Sequence, residues 1–146
     1  MMHSLLLICL TLSQSPDAAL VIEAGTAINV RSITTGTNDP VLQLYAQQHA
    51  DRQARQCRQG HQQWDRRYRE LAIRLPLHAD FTEIAAESWP WQTREQSAPE
   101  MFTCWRHSPG HWRVANGSCA IYGYAMARGR NGIWYGCGIT AQRRHR

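Results

Sequence analysis

The sequence is poor in long apolar runs. Beyond the first dozen residues nothing approaches the roughly 18 consecutive apolar residues of a membrane-spanning helix, so a helical membrane domain is excluded there. No two cysteines stand in the C-x2-4-C spacing of cysteine zinc motifs. No internal repeat and no low-complexity segment occurs. Phenylalanine is found only twice and lysine not at all: all 16 basic residues are arginine. What is present is enough for one packed domain, because 146 residues is about one domain length, 43% of them are hydrophobic, and six are tryptophan.

The N-terminus carries an apolar run from Leu5 to Leu12 followed by Ser13, Gln14, Ser15, Pro16 and Asp17. This pattern fits a secretory leader ending near residue 19, although the basic front of such peptides is missing, and the alternative is a frayed apolar start. Removal of the leader would take Cys9 with it and leave Cys57, Cys104, Cys119 and Cys137. An even count in an exported protein suggests two disulfides, with four small buried thiols as the alternative. The expected location is therefore outside the cell, in the periplasm or in the cell envelope. The divisions that follow are a leader over 1–19, a connector over 20–37, a domain over 38–141 and a basic tail over 142–146.

The net charge of +5 raises the question of a nucleic-acid partner. Arg52, Arg55, Arg58, Arg66, Arg67, Arg69 and Arg74 are however interleaved with Asp51, Asp65 and Glu70, as on a solvated helix face. Nucleic acid is accordingly not the expected partner.

Asp39 before Pro40 predicts a helix start, and the helix is expected to run to about Gln59 with Val41, Leu44, Tyr45, Gln48, His49 and Arg52 on its inner side and a largely exposed second half. A second helix is predicted over 62–74, with Trp64, Tyr68, Leu71 and Leu75 on one face. Phe81 to Trp89 reads as a short strand. A third helix is expected from a Ser97 cap with Glu100 completing a capping box, and with Met101, Cys104 and Trp105 turned inward. The clearest signal is a hairpin: Cys119 to Ala127 and Ile133 to Ala141 flank Asn131-Gly132, which places Cys119 near Gln142 and away from Cys137. Helices followed by a terminal hairpin give an α+β domain with an antiparallel sheet covered by helices.

Three segments place polar groups in turn-rich aromatic sequence: Gly60-His61, Ala86-Glu87-Ser88 and Ser108-Pro109-Gly110-His111. Both histidines follow a glycine, where the backbone can turn sharply and aim an imidazole into a cleft. Glu87 sits among apolar neighbours, where a carboxylate needs a cation, a metal or several donors. Two imidazoles and a carboxylate can hold zinc with an open position or perform acid–base chemistry near neutral pH. The bland reading makes His61 a capping residue, His111 a surface residue and Glu87 an arginine partner.

The order of helix, Gly60-His61, a glutamate in a short strand, Trp105 followed by Ser108-Pro109-Gly110-His111, and a terminal hairpin resembles the CAP superfamily of cysteine-rich secretory and pathogenesis-related proteins, in its short bacterial form. The resemblance covers about residues 42–139, and Tyr122-Gly123-Tyr124 and Trp134-Tyr135 resemble the family's closing strands. It implies a three-layer α-β-α sandwich, export, and a cleft with His61, Glu87 and His111, in which Ala86-Glu87-Ser88 stands for the family's Gly-Glu-Asn. A divalent metal such as zinc would fall to His61 and His111. Longer members carry a second glutamate where this chain has Ser108, which weakens the full metal set. The implied function is a secreted, non-catalytic module binding an extracellular or lipid-like ligand, with Trp64, Trp89, Trp91 and Trp112 offering apolar surface. A metal-dependent or acid–base hydrolase using the same cleft is the alternative.

Overall fold

The computed structural model describes residues 14–28, 35–75 and 79–143. In chain order these form α1 (Pro16–Ile28), β1 (Thr35–Asn38), α2 (Pro40–Gln56), α3 (Trp64–Arg74), β2 (Ala79–Glu87), α4 (Arg94–Arg106), α5 (Pro109–Ala115), β3 (Ser118–Arg128) and β4 (Trp134–Arg143). The expected leader over its first 13 residues lies outside the described residues.

The architecture is α+β. One four-stranded sheet has the order β1-β3-β4-β2. The predicted hairpin is its centre, with Ile121 opposite Ala141 and Arg128 opposite Trp134, and β2 adds antiparallel to β4 from Ala79–Arg143 to Glu87–Tyr135. The sheet is not wholly antiparallel as expected, because the short β1 joins β3 in parallel. Helices cover both faces. Leu42, Tyr45, Ala50 and Leu71 of α2 and α3 pack with Phe81 and Ile139 on one side. Val21 of α1 and Met101, Phe102 and Trp105 of α4 pack with Ile84 and Tyr124 on the other.

The stretch read as a connector is in its first part a packed helix. Pro16 opens α1, the Ala18 amide donates to the Ser15 hydroxyl at 3.1 Å, and Ala18, Val21 and Ala24 recur at every third position as its buried stripe. Arg94 pairs with Asp17 and ties this helix to α4. The expected division at residue 19 thus falls inside α1.

Asp39 caps α2 as expected, accepting from the Val41 and Leu42 amides. The buried face of α2 is rotated from the expected one, and its second half is covered: Leu42, Ala46, His49, Ala50, Gln53 and Ala54 are buried, while Leu44 is 48% exposed. Small alanines let the helix lie close on the sheet, and the polar pair is buried because it has a structural task described below. The closest approach is at Gly123 of β3, where a Cβ would stand 2.4 Å from Gln43 N and 2.4 Å from Leu42 C. Both obstacles are backbone, so Gly123→Ala should cost about 2–3 kcal/mol by overpacking, read as a lowered urea midpoint with unchanged slope.

Two further expectations are corrected. Helix α4 is capped by Thr93, not Ser97, with the capping box formed by Thr93 and Gln96. Cys104 points to solvent rather than inward. The four described cysteines are free thiols in the structure, not two disulfides: Cys57 ends α2, Cys104 lies on the outer side of α4, Cys119 is near the start of β3, and Cys137 is buried mid-sheet opposite Ala125. Cys119 and Cys137 share the β3–β4 ladder but not a register position, since Cys137 stands opposite Ala125.

Candidate functional site

The buried polar residues of α2 shape the loop that follows it. His49 is fully buried, and its Nε2 meets the Gly60 carbonyl at 2.8 Å, while the Gln53 side-chain oxygen accepts the Gly60 amide at 3.0 Å. Gln59 reaches across to the Ala85 carbonyl at 3.2 Å. Gly60 itself has φ 146°, a conformation that side-chain-bearing residues rarely adopt. Held on both its peptide groups, Gly60 aims the next residue, His61, at β2.

His61 finds a carboxylate there, but it is Glu83 and not Glu87. The His61 Nδ1 lies 3.0 Å from Glu83 Oε1. Arg67 of α3 grips the same carboxylate with both Nη atoms, Nη2 at 2.9 Å from Oε1 and Nη1 on Oε2. Arg67 also donates to the Gln62 carbonyl, and its guanidinium lies 5.2 Å from the Trp64 ring centroid. The buried Cys137 thiol donates to Glu83 Oε2 at 3.6 Å. Glu83 is thus a buried anion met by a buried cation and two further donors, as such a charge requires. Glu87, at the exposed end of β2, has no hydrogen bond or ion pair to either histidine among the described residues.

Both predicted histidines do meet. The His61 and His111 rings lie 5.8 Å apart between centroids, tilted by 54°. Strand β2 is the sheet edge. The loop before α3 brings His61 to Glu83 at this edge, and α5 brings His111 beside His61. His107, four residues before His111, is spent elsewhere: its exposed ring contacts the Thr103 carbonyl at 2.7 Å.

The electrostatics follow from this packing. Burial pushes the Glu83 carboxyl up, but hydrogen bonds from Arg67 and His61 outweigh it and hold the group below its ordinary value, so it is an anion at neutral pH. Burial, then the neighbouring His61, lowers His111 and keeps its ring neutral. Burial likewise lowers His49 despite the opposing field of Glu83. Burial above all, with Glu83 beside it, raises the Cys137 thiol well above its usual range and makes it unreactive.

With Nδ1–H given to Glu83, His61 turns its Nε2 edge toward solvent beside the neutral ring of His111. A carboxylate that orients a histidine in this way is the usual support of a metal-bound imidazole. Glu83 is itself unsuited to direct ligation, since Arg67 occupies both its oxygens. The expected two-histidine, one-glutamate set is therefore reduced to two nitrogen donors and an orienting acid. Among the described residues no group of three or more His, Cys, Asp or Glu side chains is arranged to hold a metal ion.

Sequence reasoning singled out His61 and His111, which the fold brings together, and did not single out Glu83, Arg67, His49 and Gln53, which surround His61. The strand alternation already put Glu83 on the same face as the core residue Phe81, two positions away, and that was the available signal. A hollow of about 600 Å³ lies elsewhere, between the starts of α1 and α2, lined by Ser15, Pro16, Asn38, Gln43, Leu44 and Arg94 among others. No helix of the described residues is long and apolar enough to cross a membrane.

The fold and the histidine pair thus define a three-layer α+β domain with a polar cluster at its free sheet edge. No family model matches the chain, and no curated protein matches it. Among solved structures, an outer surface protein from Borrelia burgdorferi is similar, with a TM-score of 0.60 over 86% of this chain and 89% of that one at 13% identity. At that identity the likeness is one of fold.

Proposed function

We infer that this protein is an exported or cell-surface binding module of CAP-like type that takes a divalent metal between His61 and His111. The observation that carries the reading is the facing pair of imidazoles, one of them oriented by a buried carboxylate. On this reading the acid of the CAP resemblance is Glu83, four residues before the position first assigned. The leader-like N-terminus and a fold shared with an outer surface protein support a place outside the cytoplasm. Binding is favoured over hydrolysis because the carboxylate nearest the histidines is neutralised by Arg67 and is not free to act as a base. The neutral state of His111 suits a ligand role, since a protonated imidazole has no lone pair to give. Two protein nitrogens leave the remaining coordination positions to water or to a ligand on the partner molecule.

Zinc titration calorimetry on the full chain tests this directly. One saturable site is expected, abolished in His61→Ala and in His111→Ala, and weakened about 10–100-fold in Glu83→Gln. Glu87→Ala should bind as the unaltered protein does. Affinity should also fall in acid once the pH drops below the lowered value of His111, because its protonated ring has no lone pair to give. Absence of saturable binding in the folded protein would reject the metal site, and dependence on Glu87 instead of Glu83 would reject this geometry.

A further inference from the structure

The loop between β2 and α4 reads Ser88-Trp89-Pro90-Trp91-Gln92-Thr93 and leaves its two tryptophans in water: Trp89 is 68% exposed and Trp91 74%. Trp64 and Trp112, the other tryptophans considered as ligand surface, are half-buried in the packing. Two large apolar side chains on one loop, neither used by the core, call for a partner.

The loop is built to hold them out. The Trp91 amide donates to the Gly132 carbonyl at 2.9 Å, the Trp89 amide to the Gln92 side chain at 3.2 Å, and the Trp134 indole to the Gln92 carbonyl at 3.1 Å. Trp91 has φ 65°, in the left-handed region that bulky residues avoid, so its placement is maintained against a local cost. Its ring lies on the β3–β4 turn at Gly132, where a Cβ would come within 2.7 Å of Cε3. A glycine at this turn therefore gives the indole its seat.

The same turn is cationic. The Arg128 guanidinium lies 5.9 Å from the Trp91 ring centroid, and the exposed Arg128 and Arg130 flank a hollow of about 350 Å³ beside that ring. A neighbouring hollow of about 450 Å³ is lined by Arg55, Arg128 and Arg130, with Asp51 as its acidic member. Glu87 stands at the end of the strand that leads into the loop. Cations thus outnumber anions on the Trp91 side of the loop.

We propose that the Trp89-Pro90-Trp91 loop and the Arg128/Arg130 turn dock this protein on the surface of an anionic phospholipid bilayer. Indole rings are at home at headgroup depth, where one edge meets hydrocarbon and the other meets water, and arginines beside them pair with lipid phosphates. Charge complementarity selects an anionic surface over a neutral one. The exposed aromatics set this patch apart from the solvated arginines of α2 and α3. The docking surface is separate from the histidine pair and does not depend on its metal.

Sedimentation of the full chain with vesicles of phosphatidylcholine, with and without phosphatidylglycerol, tests the proposal. Binding is expected to the mixed vesicles only and to weaken as salt is raised. The pair Arg128→Gln and Arg130→Gln should lower partitioning about thirtyfold, at roughly a few-fold to tenfold per arginine. Trp89→Ala with Trp91→Ala should lower it at least about tenfold, while Trp89→Phe with Trp91→Phe keeps most of it. Thermal unfolding of each variant verifies the fold. No binding to mixed vesicles, or binding indifferent to the loss of both tryptophans, overturns the proposal.

Discussion

Arg67→Ala is expected to remove about 3–5 kcal/mol of folding stability, read as a lowered urea midpoint, because it leaves Glu83 buried without its cation. That is a large share of the ~5–15 kcal/mol that holds a typical domain together. The cost arises from stranding a charge, not from the pair's own worth, since both ions had to leave water to form it. Glu83 has a fully buried side chain and Arg67 a nearly buried one, so water cannot take over either role. Replacing both partners by apolar groups of similar volume, Arg67→Met with Glu83→Leu, should therefore recover most of the loss. The same double variant should not recover zinc affinity, because His61 would have lost the carboxylate that sets its tautomer. A double variant as unstable as Arg67→Ala would show that the cluster stabilises by its hydrogen bonds and not merely by mutual compensation.

How far the fold was legible depended on whether a segment carried local signals. The Asn131-Gly132 turn and the alternation around it announced the hairpin within a residue of its true register, and Asp39-Pro40 announced α2. Helix α1 was hidden because its Ala- and Gly-containing stripe follows an apolar run of leader type, so the two merged into one reading. Helix α4 offered two capping boxes in tandem, Thr93 with Gln96 and Ser97 with Glu100. The earlier one prevails by adding a turn, and Ser97 then gives its hydroxyl to the Thr93 carbonyl at 2.7 Å. The site was half legible. Glycine before histidine marked two side chains that the fold brings together, one from a loop and one from a helix start. The carboxylate beside His61 is Glu83 and not the Glu87 of the Ala-Glu-Ser segment that resembled a family motif, because burial under Arg67 is a tertiary fact. His49 and Gln53 looked like a polar fade of α2, since nothing local says that a helix will use buried polar groups to hold the loop beyond it.

Acid should unfold the protein in two descents, and their order follows from the cluster. His49 is kept neutral by burial, so its folded pKa lies below the 6.5 of the unfolded ring. As pH falls through 6.5 the unfolded chain takes a proton that the folded chain refuses, and stability declines by up to about 1.4 kcal/mol per pH unit until the folded ring also titrates. His111, lowered for the same reason but half-exposed, adds to this limb in the same direction. Glu83 acts lower down. Its folded pKa is below the ordinary 4.5, so its contribution is fully present above that value and is lost as pH falls from there through the folded pKa. Protonating it does by acid what Arg67→Ala does from the other side: one member of a buried pair is left without its counter-charge. Urea midpoints measured from neutral to acidic pH should therefore show an early descent that His49→Gln reduces to the share of His111, because glutamine can still donate to the Gly60 carbonyl but does not titrate. They should show a later descent that Arg67→Met with Glu83→Leu flattens. An early limb undiminished in His49→Gln would move its origin to other groups, and persistence of the late limb without the Arg67–Glu83 pair would show that the buried carboxylate is not what fails in acid.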